Sequence, residues 1–132
     1  MAWGNFLLDI GMNVTPGAPL TKFYAVKYDT ANPEAVIPVA AITDVIAGFS
    51  QFNVSTQEIT KGKGCSCRVH GVTEAVASGA IPMGSLVTLA ADGRVTAAAT
   101  GARVVGKCVG NPAINANDRI ALLINPYGSL SP

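Results

Sequence analysis

Three thiols and a single imidazole are the residues of this 132-residue chain whose types most readily suggest a metal centre. Cys65 and Cys67 stand two apart, His70 follows three later, and Cys108 lies far along the chain. Tetrahedral zinc takes four soft ligands, and Cys65, Cys67, His70 and Cys108 would make a Cys₃His set. On a strand, positions 65 and 67 share one face, a less usual clamp than C-x₂-C, and position 108 must then lie on the adjacent strand. The plainer chemistry treats the thiols as small buried hydrophobes. No metal or other cofactor is expected on that reading. Nor is a Cys67–Cys108 disulfide, because an odd cysteine count without framework spacing suits a reducing compartment.

Other chemistries find still less to work with. A hydrolase needs His70 beside a nucleophile and an orienting acid, for which Ser66 and Asp118 are the nearest candidates, but no G-x-S-x-G surrounds a serine. Lys61-Gly62-Lys63-Gly64 superficially resembles a phosphate loop, yet it lacks G-x-x-x-x-G-K-[ST] and a following helix, and reads as a solvated hairpin tip. The acidic residues Asp9, Asp29, Glu34, Asp44, Glu58, Glu74, Asp92 and Asp118 are scattered singly, so no general acid and base stand out as a pair. Arg68, Arg94, Arg103, Lys107 and Arg119 fall on or beside expected strands, where salt bridges across a subunit boundary would set register. The chain is not expected to be an enzyme.

The elements that would carry these residues are short strands. From Ala80 to Gly110 the sequence predicts three: Gly84 to Ala90, Arg94 to Ala97 after an Asp92-Gly93 turn, and one opening at Val104. Before them come strands over Leu20 to Tyr28, Ala35 to Val39, Ile42 to Phe49 (or a short helix over Ala40 to Ile46) and Cys65 to Val72. Phe52, Val54 and Ile59 continue at near-even spacing. Glu74 to Gly79 reads as a linker or a helical turn, Asn111 to Asn117 as a polar loop, and Asp118 to Ile124 as the last strand. Nine or ten strands with almost no helix make an all-β fold, a small β-barrel or sandwich with an extended N-terminal arm. The arm is residues 1–19, irregular because Gly11, Pro16, Gly17 and Pro19 break it, or alternatively a strand or cap on the core. A single β domain spans 20–125, and 126–132 is a tail too rich in Pro and Gly to be regular.

The two parts of that domain, about 20–72 and 80–125, rhyme. Ala35-Val36-Ile37-Pro38-Val39 takes the place of Arg94-Val95-Thr96-Ala97, and Val45-Ile46-Ala47-Gly48-Phe49 that of Arg103-Val104-Val105-Gly106-Lys107. Gly17 to Thr21 corresponds to Ile81 to Leu86, and Cys67 to His70 to Ile120 to Leu123. Such an echo implies two pseudo-equivalent β units, a structural device with no chemistry attached.

Composition narrows the function classes. Charged residues are 13% of the chain, about half the usual share, and mean hydropathy is +0.38, so part of the exterior is expected to be covered by another protein or by further copies. Trp3, Phe6, Leu7, Leu8 and Ile10 in the arm are the candidate contact residues. A net charge of +1 without a basic cluster argues against nucleic acid. No apolar run approaches the roughly 20 residues of a membrane helix, and the first ten residues lack the pattern of a signal peptide. Synthesis in cytoplasm is expected.

From Gly84 to Val95 (G-x-L-V-T-L with D-G-R-V), through Ala102 to Gly106 (A-x-R-V-V-G), to Asp118 to Ile124 (D-R-I-A-L-L-I), the chain resembles the capsid decoration, or cement, proteins of tailed bacteriophages. The resemblance covers about the last 60 residues, and the first 60 only through the internal echo. It implies a β-barrel on the outside of an assembled head, bracing subunits of the major capsid protein, often as a homotrimer. The arm would dock on capsid or on a neighbouring copy. Other β-rich virion parts, such as a head-fibre base or a tail-tube-like subunit, are the alternative. A biotinyl or lipoyl carrier module would need a lysine at the hairpin tip, where Asp92-Gly93 stands.

Overall fold

The computed structural model describes residues 7–32 and 34–131, and of 126–130 the backbone only. Among the described residues, ten strands and one short helix follow one another. They are β1 (Leu8–Val14), β2 (Ala25–Tyr28), β3 (Ala35–Pro38), β4 (Gly48–Ser50), α1 (Thr56–Thr60), β5 (Cys65–His70), β6 (Val72–Val76), β7 (Leu86–Leu89), β8 (Val95–Ala97), β9 (Arg103–Gly110) and β10 (Arg119–Leu130). The first five strands close a barrel in the order β1-β3-β2-β4-β5. The other five form a sheet in the order β6-β10-β9-β7-β8. The fold is all-β, as the short, β-branched runs between turn residues dictate.

Each pairing in the barrel has a counterpart in the second sheet. Val26↔Gly48, Phe49↔Arg68 and Ser50↔Cys67 in the barrel answer to Val87↔Gly106, Lys107↔Leu123 and Cys108↔Leu122. Val26↔Pro38 answers to Val87↔Ala97, and the isolated bridge Leu20↔Val54 to Ile81↔Ala113. Barrel closure is parallel, Val14↔Val36, and a parallel bridge Ala77↔Val95 brings β8 to the end of β6 at the matching point. The correspondence of 35–39 with 94–97 and of 45–49 with 103–107 is the one expected from the sequence. The two outer correspondences shift: Leu20 matches Ile81, and Cys67 matches Leu122.

Close backbone contact explains the glycine shared by the two V-x-G strands. A Cβ on Gly48 would stand 2.5 Å from the Arg68 carbonyl oxygen, and one on Gly106 would collide with the Leu123 carbonyl oxygen and lie 2.7 Å from Leu122 Cδ1. Only glycine admits that approach. The turn before the second strand of each unit needs a left-handed residue, which is Gly84 at φ +80 in one and Phe23 at φ +65 in the other. The same hydrogen bond follows each: Phe23 N–H donates to the Ser50 carbonyl (2.7 Å) and Gly84 N–H to the Cys108 carbonyl (2.9 Å).

Several expectations are corrected. Residues 8–14 of the arm are not irregular: β1 is a barrel stave, paired with β5 from Leu8 to Met12 and with β3 at Asn13 and Val14. Gly11 falls where β1 passes Ser66, and leaves the ladder intact. The strand from Leu20 begins only at Ala25, because the left-handed Phe23 interrupts it. Residues 42–47 form neither strand nor helix. Asp44 Oδ2 accepts from the N–H groups of Ala40 and Ala41 (both 2.9 Å) and holds the segment as a loop. Gly71, at φ +94, separates β5 from β6, so the supposed linker after Val72 is a strand whose Thr73 and Ala75 point inward. The C-terminal tail is regular after all in its backbone. Pairing shifts register between Ile124 and Ser129, a span containing the donor-less Pro126, and resumes with Ser129↔Val104 and Leu130↔Arg103.

Candidate interaction surface

The described residues singled out from the sequence are spread over both the barrel and the second sheet. Trp3 and Phe6 lie outside the described residues. Leu7 (44% exposed) precedes β1, Leu8 (51%) and Ile10 (39%) lie at its start, and the three present their apolar surface at one end of the barrel. That end is fixed by Arg68, whose Nε and Nη2 donate to the two carboxylate oxygens of Asp9 (2.8 and 3.1 Å) while Nη1 donates to the Val72 carbonyl (3.1 Å). The guanidinium's hydrogen bond holds the Asp9 carboxyl below the usual carboxylate range. Arg94 likewise pairs within the chain, with Asp92 (2.8 Å), and Arg119 lies 5.0 Å from the centroid of the Phe23 ring. All three arginines thus have partners within the chain.

Beside the exposed end of β1 runs a groove of about 840 Å³. Its floor includes Gly11 and Gly64, where β1 lies against the start of β5. Tyr28 and Phe52, each 56% exposed, line it together with Ile10, while Asn13, Glu34 and Ser66 add polar groups. The two aromatics reach it because β2 ends at Tyr28 and because the chain leaves β4 at Ser50, whose hydroxyl donates to the Phe52 carbonyl (2.6 Å). Nothing within 4 Å would meet a Cβ on Gly11. Lining of this kind, flat aromatic surface with polar groups beside it, can accommodate another side chain.

The zinc candidates do not converge. Cys65 and Cys67 do share the barrel interior, with Sγ atoms 3.6 Å apart and Ser50 Oγ 3.1 Å from Cys65 Sγ. His70 is exposed at the end of β5, and Cys108 is packed in the other core with Leu122 and Ile120. Among the described residues no group of three or more His, Cys, Asp and Glu side chains could hold a metal ion. Hydrogen bonding within the thiol pair favours one thiolate at the other's expense: Cys65 is lowered to about 7 and Cys67 is pushed up, burial adding to the rise.

The hydrolase candidates are equally dispersed. Ser66 and His70 are four residues apart on one strand, about 13 Å. Asp118 is bound elsewhere, its Oδ2 accepting from Ile114 N–H (3.0 Å) and Asn115 N–H (2.9 Å), which lowers its pKa. Lys61 to Gly64 is the exit of α1 rather than a hairpin tip, and Lys63 pairs with Glu58. What the sequence reading missed were the groove and α1. The helix had a signal: Ser55 and Glu58 form a capping box, Ser55 Oγ accepting from Glu58 N–H and Glu58 Oε1 from Ser55 N–H.

Exposed apolar groups also crown the loops. Ile42 (60%) and Val45 (64%) stand on the loop held by Asp44, which also binds Lys27 Nζ at 3.0 Å, and Ile114 (78%) stands on the loop held by Asp118. In both, a carboxylate fixes the backbone that holds an aliphatic side chain out to solvent.

No family model matches the chain, and no curated protein matches it. Among solved structures it is similar to the head fiber gp8.5 N base of bacteriophage phi29, at 15% sequence identity and a TM-score of 0.64, over 92% of this chain and 96% of that one. At that identity the likeness is one of fold.

Proposed function

We propose that this chain is a structural component of a tailed-phage virion, seated on the outside of the head and bound to the major capsid protein. The observation that carries the reading is the fold likeness to a head-fibre base over nearly the full length of both chains. It is supported by the scarcity of charge and by aliphatic groups held outward on fixed loops. Its role is mechanical rather than catalytic, and it works as a homo-oligomer, in threes, with the β1 end and the arm residues Trp3, Phe6, Leu7, Leu8 and Ile10 at the contacts. Many such contacts on a closed shell act together, so modest affinity per copy suffices.

Two versions of this role differ in consequence. As a fibre base, the chain anchors further protein without altering the shell. As a decoration protein, it braces capsid subunits and the shell withstands more heat. Co-sedimentation with shells of the source phage that lack the protein tests both. Capture at fixed stoichiometry with unchanged shell melting supports the base, and capture with raised melting supports decoration. Absence of capture by mature shells overturns the head assignment.

A further inference from the structure

We infer that the groove beside β1 receives the N-terminal arm of a second copy of this chain, with the Trp3 indole between Tyr28 and Phe52. The inference rests on the proposed homo-oligomer and names the contact that would build it. Three observations lead to it.

The first is reach. The described chain starts at Leu7, and the groove is lined from Ile10 to Asn13, further along the same strand. Trp3 precedes Leu7 by four residues, at most about 14 Å of extended chain. To point back along β1 the arm must spend at least two residues on a turn, which leaves about 7 Å and returns Trp3 only to the level of Leu7 or Leu8. The middle of the groove, at Gly11 and Met12, lies a further three or four residues on, about 10 to 13 Å. Those lengths leave the Trp3 backbone of the same molecule short of the middle of the groove, whereas the arm of a neighbour has no such limit.

The second is chemistry. An indole carries a broad apolar face and one N–H that requires an acceptor when buried. The groove offers two exposed aromatic rings and, beside them, the Glu34 carboxylate and the Asn13 side chain. The third is the floor. Gly11 and Gly64 leave bare backbone there, and the open space above Gly11 admits a flat ring against the sheet.

Trp3 is the chain's single tryptophan, so its fluorescence reports the contact directly. In the full-length protein, emission is expected to move to shorter wavelength as concentration rises through the association range. Phe52→Ala, at a half-exposed position, should abolish the shift, as should Gly11→Leu, which fills the floor without a clash at Cβ. Circular dichroism confirms that both variants fold. A benzoylphenylalanine at position 52, in an equal mixture of light and heavy-isotope chains, should yield cross-linked peptides of mixed isotope that join position 52 to residues 1–6.

Isotopically pure cross-links would place the arm in its own groove, and cross-links to another segment, or an emission unchanged by association, would each overturn the inference. Cross-links to the major capsid protein alone, formed only when shells are added, would assign the groove to the shell and overturn it too. Shell capture is scored separately. If the arm fails to dock while capture persists, only this inference is lost, and if arm exchange occurs without capture, the head assignment is lost instead.

Discussion

Phe49 of the barrel is wholly buried, while Lys107, which holds the matching place in the second sheet, is exposed. Phe49 turns outward from β4, and with Ala25 and Val39 it joins the core that contains Val87, Leu89, Ile120 and Leu122 of the other half. The counterparts of Ala25 and Val39 are Leu86 and Ala98, both only half-buried. One ladder therefore serves two purposes. In the first half the outer face of β2 and β4 is a joint between the halves, and in the second the same face is open to solvent. The backbone scheme is indifferent to this choice, and a handful of side chains make it. The loops diverge in the same way. Between the third and fourth strands the barrel carries nine residues, 39–47, where the sheet carries five, 98–102, and only the barrel has a helix before its last strand.

Matched substitutions test how far the equivalence extends to energetics. Leu122 and Cys67 occupy equivalent inward positions and neither is exposed. Leu122→Ala removes most of an aliphatic side chain from a packed core and is expected to cost about 3 kcal/mol, whereas Cys67→Ala deletes one sulfur and should cost about 1 kcal/mol. Urea unfolding measures both, and equal losses would show that the two cores are not packed alike. The glycine pair comes next. Gly48→Ala and Gly106→Ala each force a Cβ against a partner carbonyl and should cost about 2 kcal/mol, Gly106→Ala the more because Leu122 also stands in the way. A thermal midpoint left unchanged by either variant would refute the close approach at that site.

The sequence carried the repeat where it was constrained by contact. V-x-G was legible in both halves because the strand at Gly48 and Gly106 tolerates no side chain. Outer parts of the echo were misaligned by a few residues because the turn's left-handed residue is glycine once and phenylalanine once, which hides Phe23 behind Gly84. Glu74 to Gly79 reads as a linker or helical turn because Glu74 and Gly79 outweigh the inward alternation of Thr73 and Ala75, which hides most of β6. Ile42 and Val45 read as strand because apolar residues normally report burial, and here Asp44 fixes the loop that leaves them in solvent. Of the candidate surface, the apolar start of β1 was visible. The groove was not, since Tyr28, Phe52 and Gly64 come from three separate segments that only the barrel closure assembles.

The helix is a feature of one half alone, and its loss should be correspondingly local. Ser55→Ala removes the acceptor for Glu58 N–H and is expected to cost about 1 kcal/mol in that segment. Hydrogen exchange should quicken in residues 56–63 and leave β6 to β10 unchanged. Faster exchange throughout the second sheet would mean that the halves unfold as one unit.

The last comparison is read in acid, where carboxylates stabilised at neutral pH become protonated. Among the described residues, four of the five carboxylates with lowered pKa belong to the barrel half: Asp9, Asp29, Asp44 and Glu58, against Asp118 in the other. Asp29 is lowered to about 2 by hydrogen bonds from the Asn32 and Thr15 side chains, and Glu58 to about 2 by Lys63 and then Ser55. Unfolded Asp and Glu titrate near 3.9 and 4.3, so these groups bind protons more readily in the unfolded chain. Their stabilisation is present above about pH 4.5 and fades as the pH falls toward 2. Acid should therefore weaken the barrel before the sheet. Amide protection in β1 to β5 should decline between pH 4.5 and 2.5 while β9 and β10 hold, and Asp29→Asn should flatten that decline. Simultaneous loss in both sheets would show that the buried joint at Phe49, rather than the surface carboxylates, governs the acid response.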